Sequence, residues 1–443
     1  NVKNIDAKRS LDFTTKKPLI DLKVNLEEFK LDAFSPLGKN VLSSIRGSAS
    51  GDISLKGFLG NPTMLGTLNL NNAGLTFPYL NIDYNFVGES IITLDEQSFI
   101  LQNINLLDTE YGSKGKLEGE IVHQNFNQWF LNIQIDTDNL LVLNTKNTDD
   151  ALYYGSGFLK GTASITGLTD QLTIDINGST QPGTAFVVPL KDIKTVNNYK
   201  LIHFKSDLLK ATDKQRELAK NALKGLSLNI NLDVTKDARM QVVIDEIYGS
   251  QLTGLGSGTL DIQINPGGKF NIFGDYTIDS GVYDFKYGGI VNRPFLIQKG
   301  GTVSWNGDPY EANLNLAAIY KARANPSVLL QNFNSSRNIE VDLVTKITGG
   351  LFNSLQELDI ELPNVDPSIA TELEFILNDN NVNEKTTQFI SLLTFGSFVN
   401  PDKINFDSTS AITSTASNAI TAAFSSLINS SDSKFKFGVD YVQ

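Results

Sequence analysis

Tyr248 to Gly307 reads YGSQLTGLGSGTLDIQINPGGKFNIFGDYTIDSGVYDFKYGGIVNRPFLIQKGGTVSWNG. From Gly258 to Asn265 the residues alternate strictly, with Leu260, Ile262 and Ile264 on one side and Asp261, Gln263 and Asn265 on the other. A period of two is the mark of a half-buried strand. Asn265-Pro-Gly-Gly268 supplies the fixed and positive φ of a tight connection, so Leu260–Ile264 and Phe270–Ile272 are predicted to pair as a hairpin. Asp279-Ser-Gly281 and Tyr287-Gly-Gly289 then read as breaks that bound two further short strands. The stretch predicts an antiparallel meander with one apolar and one polar face.

The same logic extends along the chain. Pro18 to Leu31 sets Ile20, Leu22, Val24 and Leu26 against Asp21, Lys23, Asn25 and Glu27. Ile53-Ser-Leu55-Lys-Gly57 is followed by Asn61-Pro62 and Gly66-Thr-Leu68-Asn-Leu70; Ala163 to Gly167 with Leu172 to Ile176, and Thr345 to Gly349 with Leu358 to Ile360, repeat the device. Each copy ends a strand on x-apolar-x-Gly, turns and restarts in alternation, as stacked hairpins do. Pro36 to Ile45 has helical spacing and reads as a connector packing its own apolar side. Thr212-Asp-Lys-Gln215 fits a capping box with Gly225 at the far end, a short helix predicted to cover a sheet edge or to bind a partner. Asp366 to Phe398 also has helical spacing, and Asp407 to Ser433 is a Ser, Thr and Ala run whose Ile412, Ile420 and Phe424 fall on one helical face. Lys434 to Gln443 alternates Phe435, Phe437, Val439 and Tyr441 against polar residues, an exposed terminal strand available for pairing.

Composition excludes several functions. With 37 basic against 49 acidic residues the net charge is -12, which repels nucleic acid and offers no polybasic stripe to anionic lipid. There is no cysteine, hence no disulfide, thiolate zinc site or cysteine nucleophile. The two histidines, His123 and His203, stand apart from other ligands and read as surface or strand residues. Asp136-Thr-Asp138 and Asp149-Asp150 lack a calcium-loop context and read as solvated turns. Gly254-x-Gly256-x-Gly258 is followed by strand residues where a dinucleotide fingerprint needs a helix. The reading therefore names no catalytic residue, no metal and no cofactor. The chain starts without Met and has no apolar run approaching the length of a membrane span, so it is expected to be a fragment of something longer.

A sheet of this many strands buries its apolar face as a sandwich, as a barrel or by curling around something else. Small residues on the strands (Gly47, Ala49, Gly51, Gly66, Gly161, Ala163) and 35 glycines favour curvature over a dense core. The fold class predicted is mainly β: an elongated, curled antiparallel sheet with an apolar concave face, plus short helices near 207–225 and 366–430. Its apolar trough, lined by Leu260, Ile262, Ile264, Phe270 and Ile272, would hold lipid acyl chains; a closed, dry β-repeat adhesin is the blander alternative.

The run from Arg239 to Phe285, then Phe295 to Pro309 with its QKGGTVSWNGDP core, and then Gln388 to Gly396 resembles the C-terminal domain of TamB, the translocation and assembly module subunit of Gram-negative bacteria. Tyr154 to Pro189 is similar too, and the abundance of Asn, Lys and Ile resembles the Bacteroidota branch. The resemblance implies an AsmA-like, bridge-like lipid transfer protein of the periplasm, whose β-taco groove carries phospholipid from inner to outer membrane. It implies docking of the terminal strand, Phe435, Phe437, Val439 and Tyr441, to a BamA-family outer-membrane barrel, and inner-membrane anchoring through an N-terminal helix that this fragment lacks. Family members are also linked to assembly of autotransporters and outer-membrane proteins, which keeps a scaffold for unfolded polypeptide as the alternative function. The organisation expected is 1–190 groove repeats, 191–226 a helical insertion, 227–363 the signature groove, 364–433 helical and 434–443 a truncated strand.

Overall fold

A computed structural model describes residues 2–11, 18–34, 43–58, 61–78, 80–124, 128–148, 153–189, 226–245, 250–267, 269–287, 291–330, 337–351, 355–377 and 382–400. The fold is mainly β, with 21 strands in one hydrogen-bonded sheet and two short α-helices among the described residues. The residues group into two compact units. Unit 1 draws on 1–186, 199–238 and 258–274, and unit 2 on 187–198, 239–257 and 275–443.

The strands of unit 1 are β1 (Val2–Leu11), β2 (Pro18–Lys30), β3 (Ser43–Phe58), β4 (Asn61–Phe77), β5 (Ile82–Val87), β6 (Ser90–Glu96), β7 (Ser98–Asp108), β8 (Lys114–Gln124), β9 (Gln128–Thr145), β10 (Tyr154–Leu168), β11 (Gln171–Thr180) and β13 (Leu226–Val234). β12 (Ala185–Pro189), β15 (Ser250–Ile264) and β16 (Phe270–Tyr287) contribute to both units. Most pairing is antiparallel between successive strands. β4 splits its partner, pairing β6 along Met64–Leu70 and β5 along Gly74–Phe77, and both short strands then pair β7. β11 pairs β13 in parallel, which no local signal in either strand announces. The three repeats are hairpins, β3–β4, β10–β11 and β20 (Ile339–Gly350) with β21 (Leu355–Glu361).

The predicted hairpin at Asn265 forms. Its turn is closed by the Asn265 N–H donating to the Lys269 carbonyl at 3.1 Å, and the Asn265 side-chain oxygen accepts from Gly267 and Lys269 N–H groups. The Asp279-Ser-Gly281 break does not occur: β16 runs through it as one 18-residue strand. A Cβ on Gly256 would lie 3.0 Å from Ile278 Cα, while one on Gly281 would lie 3.2 Å from Gly254 Cα. Three steps on β16 thus oppose two on β15, a one-residue bulge. It exchanges the faces of the strand, so that buried Tyr276 and Ile278 give way to buried Tyr283.

Ser43 to Ile45 also differ from expectation, opening β3 instead of a helical connector. There the long pairing with β4 overrides the local apolar spacing. The helix expected near 207–225, the Ser, Thr and Ala run and the terminal strand lie outside the described residues, as do His203, Asp149 and Asp150.

In unit 2, β14 (Arg239–Asp245), β15 and β16 are joined by β17 (Val291–Ile297), β18 (Thr302–Gly307), β19 (Asn313–Ala324), β20 and β21. The expected helical region 366–398 forms α1 (Pro367–Ile376) and α2 (Val382–Phe395). Asp366 caps α1 by accepting from the Ser368 N–H, and Pro367 fills the first turn where no amide donor is needed.

Candidate apolar face

Residues opposed across a ladder share a face, so the registers show which side chains line up. From Ile264 the line runs through Leu228, Ile174, Ile165 and Ile133. It continues through Gly119, Leu101, Ile92, Leu68, Gly51 and Leu26. A second line joins Ile262 to Ile230, Ile176, Ala163, Ile135, Leu117 and Ile104. The first crosses β15, β13, β11 and β10 down to β2 without one polar side chain.

The other face is polar and bonded to itself. Asn229 Nδ2 donates to Asp175 Oδ1 at 2.7 Å, Thr259 Oγ1 to Asp233 Oδ1 at 2.8 Å and Asn25 Nδ2 to Asp52 Oδ1 at 2.8 Å.

Burial varies along the apolar face. On β4 to β9 it is closed by two clusters, one around Ile104, Leu106, Leu140 and Leu141 and one around Met64, Leu68 and Leu94. The sequence reading expects less core than this. Ile82 and Tyr84 of β5 and Leu140 and Leu141 of β9 join Leu101, Ile104, Leu106 and Leu117 in one cluster, with Tyr84 donating its hydroxyl to the Leu141 carbonyl at 2.6 Å. On β10, β11, β13 and β15, Ile165, Ile174, Ile176, Leu228, Ile230 and Ile262 are half-buried, Ile165 packing against the first of these clusters. Half burial over four adjacent strands is the state of an apolar surface that no second layer of the described residues fully covers.

Of the residues the sequence singles out, Leu260 and Ile264 are buried and Ile262, Phe270 and Ile272 half-buried. A Cβ on Gly274 would lie 3.3 Å from Leu260 Cα; counting back from that pair sets Ile272 opposite Ile262 and Phe270 opposite Ile264, on one face. Phe270 also meets Tyr153, whose ring stacks on Phe186 at 5.2 Å. Ile165, Ile174, Leu228 and Ile230 are missed by the sequence reading although their alternation is visible, because alternation within a strand does not say which strand lies beside it. Phe435, Phe437, Val439 and Tyr441 lie outside the described residues.

His123 is a strand histidine, but buried, against the rings of Phe99 and Trp129 at 5.7 and 5.2 Å. Burial pushes its pKa below the ordinary 6.5. Full stability therefore belongs above pH 6.5 and declines as pH falls through the depressed folded value, because the unfolded chain takes up the proton first. Denaturant midpoints of His123→Phe should be flatter between pH 6.5 and 5 than those of the parent; equal slopes would remove His123 as the cause. Asp136 and Asp138 lie in β9, not in a turn; Asp138 pairs with Lys160 at 3.1 Å. No His, Asp and Glu cluster able to hold a metal occurs among the described residues. No helix among them is long and apolar enough to cross a membrane.

Fold and face together define a β-sheet scaffold with one apolar face, packed into a core on β4 to β9 and half-buried at Ile165, Ile174, Ile176, Leu228, Ile230 and Ile262. The TamB C-terminal domain family matches residues 102–443, and the chain belongs to that family. TamB proteins serve a translocation and assembly module, and the role of this chain lies in that module. A search of curated proteins returned no match to the chain.

Proposed function

We propose that the apolar face of unit 1 conducts phospholipid acyl chains through the periplasm from inner to outer membrane. The observation that supports this reading is the half-buried surface on β10, β11, β13 and β15, where Ile165, Ile174 and Leu228 lie in one register line and Ile230 and Ile262 in the next. Each methylene taken from water gains about 0.8 kcal/mol, so an acyl chain is retained. Because neighbouring positions are chemically alike, the gain varies little along the face and the chain can slide. Docking to a BamA-family barrel would use Phe435, Phe437, Val439 and Tyr441 as an added strand. Deleting Lys434 to Gln443 then abolishes barrel binding in a pull-down; unchanged binding sinks the docking part.

The test of the conduit places photo-crosslinking residues at Ile230 and Ile262, with exposed Asn177 and Asn231 as controls on the other face, in living cells. Phospholipid adducts at the isoleucine positions alone are expected. Polypeptide adducts there would replace the conduit by a scaffold for outer-membrane protein assembly, and no adducts would return the face to a closed core.

A further inference from the structure

We infer that α2 is a displaceable plug seated on a second acyl-chain site, the apolar face of the unit 2 sheet. This rests on the acyl-chain reading of unit 1. A helix lying on a protein surface buries one stripe. α2 instead buries six consecutive residues, Gln388 to Leu393, and over that stretch is covered around its circumference, while Phe395 at its end is exposed. It packs on β17, β19 and β21, over a face to which the ladders bring Phe295, Leu343 and Ile360.

Two sets of polar bonds of α2 stand out among the described residues. Inside the helix and its tail, Gln388 Nε2 donates to the Val399 carbonyl at 2.6 Å, the Val399 N–H returns to Gln388 Oε1 at 3.0 Å, and Ser391 Oγ donates to the Ser397 carbonyl at 2.7 Å. These bonds satisfy the buried amide and hydroxyl without the sheet, so the helix and tail can leave as one body with their polar groups still paired. The second set attaches both ends of the helix to the sheet. Lys385 Nζ meets Asp359 Oδ1 on β21 at 3.2 Å. Arg293 on β17 donates through Nε to the Leu393 carbonyl at 2.9 Å and through Nη2 to the Thr394 carbonyl at 3.4 Å, its guanidinium 5.7 Å from the Tyr320 ring centroid. The arginine charge also suits the negative end of the helix. Between these latches lie the buried apolar side chains Phe389, Ile390, Leu392 and Leu393, whose contact is of the non-directional kind that an acyl chain can also make.

The experiment puts the photo-crosslinking residue p-benzoylphenylalanine at Tyr320 in the full chain, in cells, in Arg293 and Arg293→Ala backgrounds, with the same probe at Ile262 as reference. With Arg293 present, the Tyr320 probe is expected to capture α2 itself. In Arg293→Ala, phospholipid adducts at Tyr320 should rise about tenfold, the order set by losing charge-assisted hydrogen bonds. Phospholipid at Ile262 but none at Tyr320 in either background, or equal amounts at Tyr320 in both, overturns the plug and leaves the unit 1 conduit standing. Phospholipid at neither probe overturns both. Should Arg293→Ala not accumulate, Lys385→Ala loosens the other end, with the same outcomes.

Discussion

Ile262→Asp is expected to cut lipid transfer about a hundredfold while leaving the strand paired. Ile262 sits in register between Ile230 and the hairpin partner strand, half-buried, so the added carboxylate stays on the apolar face without entering a closed core. An acyl chain passing it exchanges contact with an isoleucine for contact with an ion. On a scale of transfer into hydrocarbon that exchange costs about 3 kcal/mol, or roughly two decades of rate. The strand should survive, because β15 keeps its ladder to β13 and the buried Leu260 and Ile264 on either side. The control is Asn231→Asp on the exposed polar face, where a second carboxylate beside Asp261 burdens folding and leaves the lipid path untouched. Transfer of a fluorescent phospholipid between donor and acceptor vesicles, measured with both variants matched in thermal midpoint, separates the two effects. Undiminished transfer in Ile262→Asp would remove this face from the pathway.

Much of this face can be read from the sequence, and its limits have a physical cause. Leu260 to Ile272 is legible because alternation and the Asn265-Pro-Gly-Gly268 turn are both local, and the hairpin follows from either. The helical region after Asp366 is legible for the same reason, through its cap and its spacing. The parallel pairing of β11 with β13 is not, since the strands are separated by residues 181–225 and nothing in either marks the other as neighbour. Ile174 and Leu228 are therefore visible as apolar strand residues but not as adjacent ones. The bulge at Asp279-Ser-Gly281 misleads for a different reason. Asp, Ser and Gly suit a reversal and a bulge alike, and only the partner strand, Gly254 lying against Gly281, selects the bulge. Burial is the least legible property of all. Ile165 and Ile133 occupy equivalent positions in the pattern and are neighbours in the ladder, yet Ile133 is buried within the cluster that includes Leu140 and Leu141 while Ile165 packs at its margin and stays half-buried.

Gly161→Ala is expected to destabilise unit 1 by about 3–5 kcal/mol. Gly161 has φ +150°, and a Cβ there would lie 2.1 Å from the Asn177 carbonyl oxygen and 2.6 Å from Gly178 Cα. Ordinary carbon contacts begin near about 3.5 Å, so the strands must part by roughly an ångström. Separation by that much stretches the β10–β11 ladder bonds on either side, each worth about 1 kcal/mol, and the backbone strain of a side chain at this φ adds about 1–3 kcal/mol. Two other glycines divide these causes. Gly112 has φ +71° with nothing within 4 Å of an added methyl, so Gly112→Ala carries backbone strain alone, about 1 kcal/mol. Gly350 has open space too, and Gly350→Ala should stay within about 0.5 kcal/mol of the parent. Denaturant midpoints falling in the order Gly350, Gly112, Gly161 would identify close strand approach as what glycine provides on β10. A loss at Gly161 no larger than at Gly112 would mean that the sheet yields there, and that the half-buried surface beside it on β10 and β11 is deformable enough to mould itself to a passing chain.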